Sequence, residues 1–389
     1  MSLPATPLPA LFTPPAVLQL RSSAGLYGAD RMILALDRGL VRRGARSAVL
    51  SIRNYLLQAQ PLHDAAVAGG HDASLLPCRG RIDMRTVAAL QAELDVRGAA
   101  ILHVHDYKSA FYGWLATRRR PVRLVATLHG WVETTPSLRL YNSLEMALLR
   151  RFDALVAVSD VQRRHLLGAG VDATRVHRID NGIEIAAAAP EAPHRGLRAE
   201  LGLPVAGKVF AAVGRLSPEK NIGQLLDAFQ AVAAADPCAC LLVVGDGPER
   251  PALEAIAAVP PLAGRVAFAG VRHDVDALWP LVDVLVLPSL SEGMPLVVLE
   301  ALANGVPVVA SAVGDVPRLL AGSAHGHVLP PGDLAALRVA LLGALSLPFR
   351  RDAAGASYVR ARHSSDTMAL GYLDLYHAMQ EQHHARRSA

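Results

Sequence analysis

Short apolar runs alternate along the chain with longer segments in which apolar and polar residues are mixed. The first half contains five candidates for buried strands, AVLQL (16–20), AVLSI (48–52), AILHVH (100–105), LVATLH (124–129) and ALVAVS (154–159). Helix-like segments lie between several of them, for example at 29–43 and 86–97. This alternation is typical of a parallel sheet that is covered by helices on both faces.

The same alternation begins again in the second half. The predicted strands there are VFAAVG (209–214), CLLVVG (240–245), VAFAG (266–270), VLVLPS (284–289) and PVVAS (307–311). Predicted helices occupy about 222–235, 249–258, 295–304 and 333–345. A proline-containing stretch at 184–204 predicts a linker followed by a short helix.

The predicted fold class is therefore α/β, with two doubly wound, Rossmann-like domains that meet near residue 185. The first domain would take residues 1–185 and the second residues 186–366. An amphipathic helix at 367–380 could belong to either domain. Ligands of such sheets bind at the carboxyl ends of the strands, so the expected site is the cleft between the two domains.

Composition excludes several classes of protein. Of 389 residues, 52% are hydrophobic and 19% are charged, which argues against global disorder. The first residues lack a signal-peptide pattern, and no apolar run is long enough to predict a membrane span. The three cysteines, Cys78, Cys238 and Cys240, lack metal-type spacing and predict reduced thiols in a cytoplasmic protein.

Charge is distributed unevenly. Residues 1–190 carry 23 Lys+Arg against 15 Asp+Glu, a balance of +8, whereas the whole chain carries +5. Basic clusters of the first half include Arg42-Arg43, Arg118–Arg120, Arg150-Arg151 and Arg163-Arg164. These clusters are either solvated helix faces or a surface that meets an anionic lipid or an anionic acceptor. Nucleic acid is not predicted, because no recognised binding motif accompanies the charge.

The stretch PSLSEGMPLVVLEALANGVPVVAS (288–311) carries two glutamates eight positions apart. Pro295 suits the first position of a helix, and the amides near Leu296 and Val297 would then form an anion site suited to phosphate. Glu292 could accept hydrogen bonds from sugar hydroxyls, and Glu300 could bind a ribose diol. The alternative is that Glu292 caps the helix and that Glu300 faces solvent.

VGRLSPEKN (213–221) predicts a strand that ends at Gly214, then a turn, and then a helix. Arg215 and Lys220 would neutralise a leaving diphosphate in place of Mg²⁺, because the sequence has neither a Walker pattern nor an Asp-rich cluster. We therefore predict no metal and no cofactor. The alternative is a pair of surface cations at the start of a helix.

Two sets of residues in the first half are weaker candidates. Gly25 and Gly28 follow the first strand and could let the backbone approach a phosphate, or could simply form a turn. His129 and the His105-Asp106 pair end neighbouring predicted strands, where a histidine is either structural or part of a site. The GxG of VVGDGPER (243–250) is a weak signal by itself.

Taken together, GRLSPEKN, VVGDGPER and the 288–311 stretch resemble the retaining GT-B glycosyltransferases of family 4, whose E-x7-E signature Glu292 and Glu300 match. GLYGADR, HVHDYKSA, TLHGW, VAVSD and IDNGI are similar to landmarks of that family's first domain. The resemblance covers about residues 16–380. Two departures are Arg318, where the family often has Glu, and the spacing of Gly25 and Gly28 by Leu26 and Tyr27.

The resemblance implies roles for the candidate residues. His129, Arg215, Lys220 and Glu292 would act at the reacting centre, with the two cations on the diphosphate and Glu292 on the donor sugar. With the residues argued above, the predicted donor-binding set is Gly25, Gly28, Gly214, Arg272, Met294, Leu296, Val297 and Glu300. The backbone near Arg272 would meet the base, and the helix at 367–380 would return to the first domain. Family members are usually metal-independent.

The expected function is retaining transfer of a sugar from a UDP- or GDP-linked donor to a glycan or lipid-linked acceptor, as in polysaccharide or glycolipid assembly of the cell envelope. The protein would be cytoplasmic and could lie peripherally on an anionic membrane surface. Two alternatives remain open, a sugar-nucleotide epimerase of the same fold and a catalytically idle nucleotide-sugar-binding or membrane-scaffold protein.

Overall fold

The chain forms two parallel β-sheets, and each sheet belongs to a separate compact unit. The computed structural model describes residues 14–129, 146–185, 194–204, 206–346 and 351–388. The first unit comprises residues 1–157, 165–179 and 365–389, and the second comprises 158–164 and 180–364.

The sheet of the first unit has seven parallel strands in the order β3-β2-β1-β4-β5-β6-β7. The strands are β1 (Ala16–Arg21), β2 (Arg46–Ile52), β3 (Ala73–Leu76), β4 (Ile101–Val104), β5 (Arg123–Leu128), β6 (Ala154–Ala157) and β7 (Val176–Arg178). The chain order reverses between β1 and β4, which pair with Gln19 opposite His103. This reversal makes the carboxyl ends of β1 and β4 the place where a doubly wound sheet binds its ligand.

Helices cover this sheet, and its apolar core includes the buried side chains of Leu18, Leu102 and Tyr112. Its helices include α1 (Gly28–Arg42), α2 (Pro61–Ala68), α3 (Met84–Val96), α4 (Tyr107–Thr117), the last four residues of α5 (Asp160–Gly168) and the last helix of the chain, α13 (Ser365–Ser388). The last helix packs closely on α1, because a Cβ on Gly39 would lie 2.6 Å from the Ser365 carbonyl oxygen. Arg42 on α1 also forms an ion pair with Asp366, at 2.8 Å.

The sheet of the second unit has six parallel strands in the order β10-β9-β8-β11-β12-β13. The strands are β8 (Val209–Val213), β9 (Cys240–Val244), β10 (Val266–Gly270), β11 (Val284–Leu287), β12 (Val308–Ser311) and β13 (Gly326–Leu329). Here the order reverses between β8 and β11, so the carboxyl ends of these two strands define the ligand-binding edge.

The core of the second unit contains Phe210, which packs edge to face against Phe229 with ring centroids 5.6 Å apart. Its helices are α6 (His194–Glu200), α7 (Ile222–Ala235), α8 (Arg250–Ala257), α9 (Leu296–Ala303), α10 (Val316–Leu320), α11 (Leu334–Ser346) and α12 (Ala353–Arg362). Short 3₁₀ turns occur before α7 and between β10 and β11.

All ten predicted strands are present, and the predicted pair of parallel α/β domains is confirmed. Several predicted strands end one or two residues too late, for example β6, which ends at Ala157, and β11, which ends at Leu287, and one predicted helix start is wrong. Pro295 does not begin the helix but is its N-cap, with an extended ψ of 120°, so that α9 begins at Leu296. In the described residues, no helix has the length and apolar character needed to cross a bilayer.

Candidate functional site

The carboxyl end of β8 is shaped by two glycines in contact. Gly214 follows β8, and Gly245 follows β9 with a φ of +130°. A Cβ on Gly245 would lie only 1.9 Å from the Gly214 carbonyl oxygen, so a side chain at that position would collide with the backbone. The two strand ends therefore approach closely, and the chain after Gly214 continues along the ligand-binding edge.

Lys220 is placed by a tight corner. The 3₁₀ turn Pro218–Lys220 ends at Asn221, which has a left-handed φ of 55°, and α7 begins at the next residue. The Glu219 carbonyl oxygen accepts a hydrogen bond from the Leu290 amide at 2.8 Å, which joins the segment after β8 to the segment after β11. Lys220 and Glu292 are consequently brought to the same edge of the sheet.

The central interaction of this edge is the ion pair between Lys220 and Glu292. The Nζ atom of Lys220 lies 2.7 Å from Oε1 of Glu292. The side chain of Glu292 is 9% exposed and that of Lys220 is 24% exposed, so solvent screens the pair only partly. Glu292 therefore binds Lys220, and the alternative in which it only caps a helix does not describe this structure.

The loop that carries Glu292 packs against the turn after β12. Gly314 has a φ of +54°, and a Cβ there would lie 2.2 Å from the Gly293 carbonyl oxygen and 2.4 Å from that of Glu292. The same Gly293 oxygen accepts a hydrogen bond from the Asp315 amide at 2.8 Å. Glycine at position 314 thus allows the loop to be held by backbone contacts.

Helix α9 begins directly after this loop. Its N-cap, Pro295, has no side chain that could bond the first amides, so the helix supplies its own N-terminal N–H groups at this edge. The Leu296 side chain is buried and that of Val297 is half-buried, so any ligand contact would be made by their backbone. Glu300 lies one turn further along α9 and is half-buried.

Met294 is bound by Asn181 through both its sulfur and its carbonyl oxygen. The Asn181 side-chain amide donates to the Met294 carbonyl oxygen at 3.0 Å, and its backbone amide lies 3.1 Å from the Met294 sulfur. Met294 is 4% exposed, so its side chain is part of the packing beneath the loop.

Arg215 and Arg272 differ in their surroundings. Arg215 is exposed immediately after Gly214, five positions before Lys220. The guanidinium of Arg272 is bound by Asp274 at 2.6 Å and by Glu200 at 2.8 Å, and these two carboxylates raise its pKa. The structure thus places the Arg272 side chain in a local ion-pair cluster, which leaves the predicted contact with a base to the backbone.

Arg318, the departure noted in the sequence, forms ion pairs of its own. Its guanidinium donates to Asp180 at 2.7 Å and to Asp315 at 2.8 Å. These carboxylates raise the pKa of Arg318 against the opposing effect of burial. Because Asp315 also donates its amide to Gly293, the Arg318 cluster supports the loop of Glu292 indirectly.

In the first unit, the segment after β1 brings Gly25 and Gly28 to the start of α1. A Cβ on Gly25 would lie 2.5 Å from the Tyr27 ring, whereas a Cβ on Gly28 would meet no described atom within 4 Å. The buried Asp30 accepts hydrogen bonds from the Tyr27 amide at 3.0 Å and from Arg21 at 2.7 Å. A side chain at position 25 would therefore displace the exposed Tyr27 ring, and Gly28 leaves open space at the first position of the helix.

His129 follows β5 and lies beside His105, which follows β4. Nε2 of His129 is 3.2 Å from Nδ1 of His105, and their rings are stacked. Burial, with the nearby charge of Arg21 and the neighbouring histidines, holds the pKa of both imidazoles well below the usual range. Burial alone lowers the pKa of His103 to about 3.

Sequence reasoning missed the polar partners beneath these histidines. They are Gln19, His103 and Thr127 on the strands and Tyr372 and Tyr376 on α13, all buried. Tyr376 bonds His103 at 2.8 Å, and Tyr372 bonds Thr127 at 2.8 Å. The available signal was the polar residue at every second position of LQLR, HVH and TLH, since alternate residues of a strand share one face.

The described residues contain no group of three or more His, Cys, Asp or Glu side chains arranged to hold a metal ion. The three cysteines, Cys78, Cys238 and Cys240, are free thiols.

Comparison with known proteins matches both units. Residues 27–187 match the family model described as Glycosyltransferase Family 4, and residues 207–346 match the model described as Glycosyl transferases group 1. A D-inositol 3-phosphate glycosyltransferase of Salinispora tropica is 31% identical over 82% of this chain and 72% of its own length. One from Xylanimonas cellulosilytica is 29% identical over 90% of this chain and 91% of its own length.

Solved structures are similar over nearly the whole chain. Anabaena HepE in complex with UDP-glucose has a TM-score of 0.79 and 21% identity, over 94% of this chain and 100% of the other. Sucrose-phosphate synthase from Thermosynechococcus elongatus has a TM-score of 0.76 and 23% identity, over 95% of this chain and 100% of the other. At this level of identity the similarity shows the fold, and it confirms the predicted GT-B class.

Proposed function

The chain belongs to the family 4 glycosyltransferases, and on this premise we propose that it transfers a sugar, with retention of configuration, from a nucleotide-diphosphate sugar to an acceptor hydroxyl. The observation that carries the proposal is the Lys220–Glu292 pair at the ligand-binding edge of the second sheet. A cation, a carboxylate and the N-terminus of α9 together offer charges of both signs at one place. A diphosphate joined to a polyhydroxylated ring needs that combination.

The donor is proposed to bind with its diphosphate against Lys220, Arg215 and the first amides of α9. Each of these groups stabilises negative charge, which grows on the phosphate as the glycosidic bond breaks. Glu292 would accept hydrogen bonds from sugar hydroxyls, Glu300 would hold the ribose, and His129 would contact the sugar. Solved neighbours hold UDP and UDP-glucose, which supports a uridine donor as the first to test, ahead of a guanosine donor.

The proposed transfer balances without a metal or a cofactor. The bond between the anomeric carbon and the phosphate oxygen breaks, and the electron pair leaves with the nucleoside diphosphate. The acceptor oxygen forms a bond to the same face of the anomeric carbon. Its proton passes to the departing phosphate oxygen, so Glu292 orients the sugar and does not act as a nucleophile.

The acceptor is proposed to carry negative charge. The balance of +8 over residues 1–190 favours such an acceptor, and the named activity of the relatives makes D-inositol 3-phosphate the first one to test. A lipid-linked or glycan acceptor of the cell envelope is the second, which would place the protein on the cytoplasmic face of a membrane. The free thiols agree with a reducing compartment.

Two substitutions test the pair. We expect Glu292→Gln and Lys220→Met each to lower kcat by about 10²–10³, the usual loss when one contact to developing charge is removed. The measurement is release of nucleoside diphosphate that depends on both donor and acceptor, after a thermal-shift panel of UDP-, GDP- and ADP-sugars has identified the donor.

Glu254→Gln is the matched control, because Glu254 pairs with Arg250 on the exposed face of α8 and should leave kcat unchanged. Unchanged rates in both test variants would contradict the assigned site. Absence of transfer from any nucleotide sugar would contradict the proposed function itself.

A further inference from the structure

A stripe of buried polar residues crosses the three central strands of the first sheet. Gln19 on β1 lies opposite His103 on β4, and His103 lies opposite Val125 on β5. Two positions further along the same face come His105 and Thr127, and His129 follows at the end of β5. Gln19 and His103 are fully buried and His105 is 3% exposed, while His129 is the most accessible of the three histidines.

One chain of hydrogen bonds ends at His129. Oε1 of Gln19 lies 2.8 Å from Nε2 of His105, and Nδ1 of His105 lies 3.2 Å from Nε2 of His129. The guanidinium of Arg21 donates to the backbone carbonyl of His105 at 2.8 Å, which fixes that residue from the other side. The ring of His103 packs against the ring of His105, with the two centroids 4.2 Å apart.

The donor and acceptor of each hydrogen bond in this row follow from its first acceptor, the side-chain oxygen of Gln19. In this structure the Gln19 carboxamide turns its oxygen to His105, while its Nε2 has no hydrogen-bond partner among the described residues. A carboxamide oxygen can only accept, so in this orientation Nε2 of His105 carries the hydrogen. A neutral imidazole has a single N–H, so Nδ1 of His105 is an acceptor, and the N–H between the two rings belongs to Nε2 of His129. His129 is then left with its lone pair on Nδ1.

We propose that Gln19 and His105 are positioning residues that hold His129 as the Nε2–H tautomer, so that Nδ1 accepts a hydrogen bond from a hydroxyl of the bound sugar. The hydroxyl contact rests on the proposed function, whereas the tautomer does not. The arrangement has a chemical consequence. A lone pair on Nδ1 attracts an O–H donor and repels a phosphate oxygen, so His129 selects the carbohydrate end of the donor.

Nitrogen NMR tests the tautomer without any activity measurement. The full chain is labelled with ¹⁵N-histidine, and long-range ¹H–¹⁵N spectra show which ring nitrogen of each histidine carries the hydrogen. The signals of His105 and His129 are assigned from their absence in His105→Phe and His129→Gln. We expect Nε2–H on both. Nδ1–H on His129 in the wild type, as a reversed Gln19 carboxamide would produce, overturns the proposal.

Variants test whether the chain of bonds causes the tautomer. Gln19→Met removes the acceptor and His105→Phe removes the imidazole nitrogens, so both should give His129 as a mixture of tautomers. His105→Asn is the matched rescue, because its Oδ1 takes the place of Nδ1 and can accept from His129. An unchanged single tautomer in both Gln19→Met and His105→Phe overturns the positioning role, and the wild-type spectrum remains decisive if a variant does not fold.

Kinetics then separate this proposal from the proposed function. With the donor found by thermal shift, His105→Phe should lower kcat by about 10–100-fold, as loss of an outer partner that orients a histidine does in metal sites. His105→Asn should recover most of that loss. If the wild type has the expected tautomer but transfers no sugar, the proposed function fails and the positioning role stands. If it transfers sugar with the opposite tautomer, the reverse holds.

Discussion

At the scale of single residues, the surroundings of a charge separate its structural and functional uses. Arg272 and Arg318 are each bound by two carboxylates, which satisfy the guanidinium within the protein. Lys220 instead has one carboxylate at 2.7 Å, and 24% of its side chain is exposed. An ammonium has three donors, so a bound phosphate can share Lys220 with Glu292 without breaking the ion pair.

The buried histidines also make a residue-scale prediction about stability. The pKa of His103 is about 3 in the folded unit, below its ordinary value of 6.5, because burial disfavours the charged ring. As pH falls below 6.5, the unfolded chain takes up a proton at His103 that the folded chain does not. The contribution of His103 to the free energy of unfolding is therefore fully present above about pH 6.5 and is lost progressively towards pH 3. The loss amounts to about 1.4 kcal/mol per pH unit.

When pH is lowered from about 7.5 to about 5.5, the free energy of unfolding should therefore fall by about 1 kcal/mol less in His103→Gln than in the wild type. Calorimetry at the two pH values measures the difference. His327→Gln, which removes an exposed imidazole on β13, is the control. The same loss in wild type and His103→Gln would argue against a neutral, buried His103.

The sequence located the Lys220–Glu292 edge but not the network under His129. Lys220 and Glu292 each follow a recognisable apolar strand, and the pattern of strands predicts which ends share an edge. His103 and Tyr376 are 273 positions apart, and Tyr376 lies on a helix whose packing no local pattern specifies. Contacts of this kind depend on how the last helix returns to the first sheet.

At the scale of elements, the three strands that were missed are short and lie at sheet edges, whereas β10, an edge strand of five residues, was predicted. β3, β7 and β13 are three to four residues long, and β3 and β13 consist mostly of half-buried or exposed residues. Each lies at the edge of its sheet as the described residues form it, with a neighbouring strand on one side only. Their sequences, ASLL, VHR and GHVL, lack the longer continuous apolar run by which β8 and the edge strand β10 were recognised.

The loop between β11 and α9 gives an element-scale prediction. Gly314→Ala would place a Cβ 2.2 Å from a backbone oxygen at a φ of +54°, so the turn and the Glu292 loop must separate. We expect the free energy of unfolding to fall by at least about 1–3 kcal/mol, the range for strained backbone positions, and binding of the nucleotide sugar to weaken.

Gly343→Ala is the matched control within the same unit. Gly343 is exposed within α11, and a Cβ there would meet no described atom within 4 Å. This substitution should raise the free energy of unfolding by about 0.5–1 kcal/mol, since alanine favours a helix over glycine. Denaturant unfolding and calorimetric titration with the identified donor measure both variants. Equal stability and affinity in Gly314→Ala and the wild type would show that the loop does not depend on this contact.

At the scale of the whole molecule, charge is segregated along the chain. The first 190 residues carry +8 and the whole chain carries +5, so the remaining residues carry −3. Segregation of this kind is not required by either sheet, because both are built from apolar strands of the same type. It favours an anionic partner for the first half, and an anionic lipid surface is the form of that partner proposed for a lipid-linked acceptor.

Vesicle flotation tests this last proposal. The protein should float with vesicles that contain phosphatidylglycerol, should not float with phosphatidylcholine alone, and should dissociate as salt is raised, because attraction to anionic lipid is screened. Arg118 and Arg119 are exposed at the end of α4, and the double replacement Arg118→Glu/Arg119→Glu should weaken binding about tenfold or more, at about 1 kcal/mol for each basic residue lost. Arg338→Glu/Arg360→Glu changes the net charge equally on exposed helices of the second unit and should weaken binding less. Equal loss in both double variants would mean that only net charge matters, and no binding at any salt concentration would remove the membrane from the proposed function while leaving sugar transfer untouched.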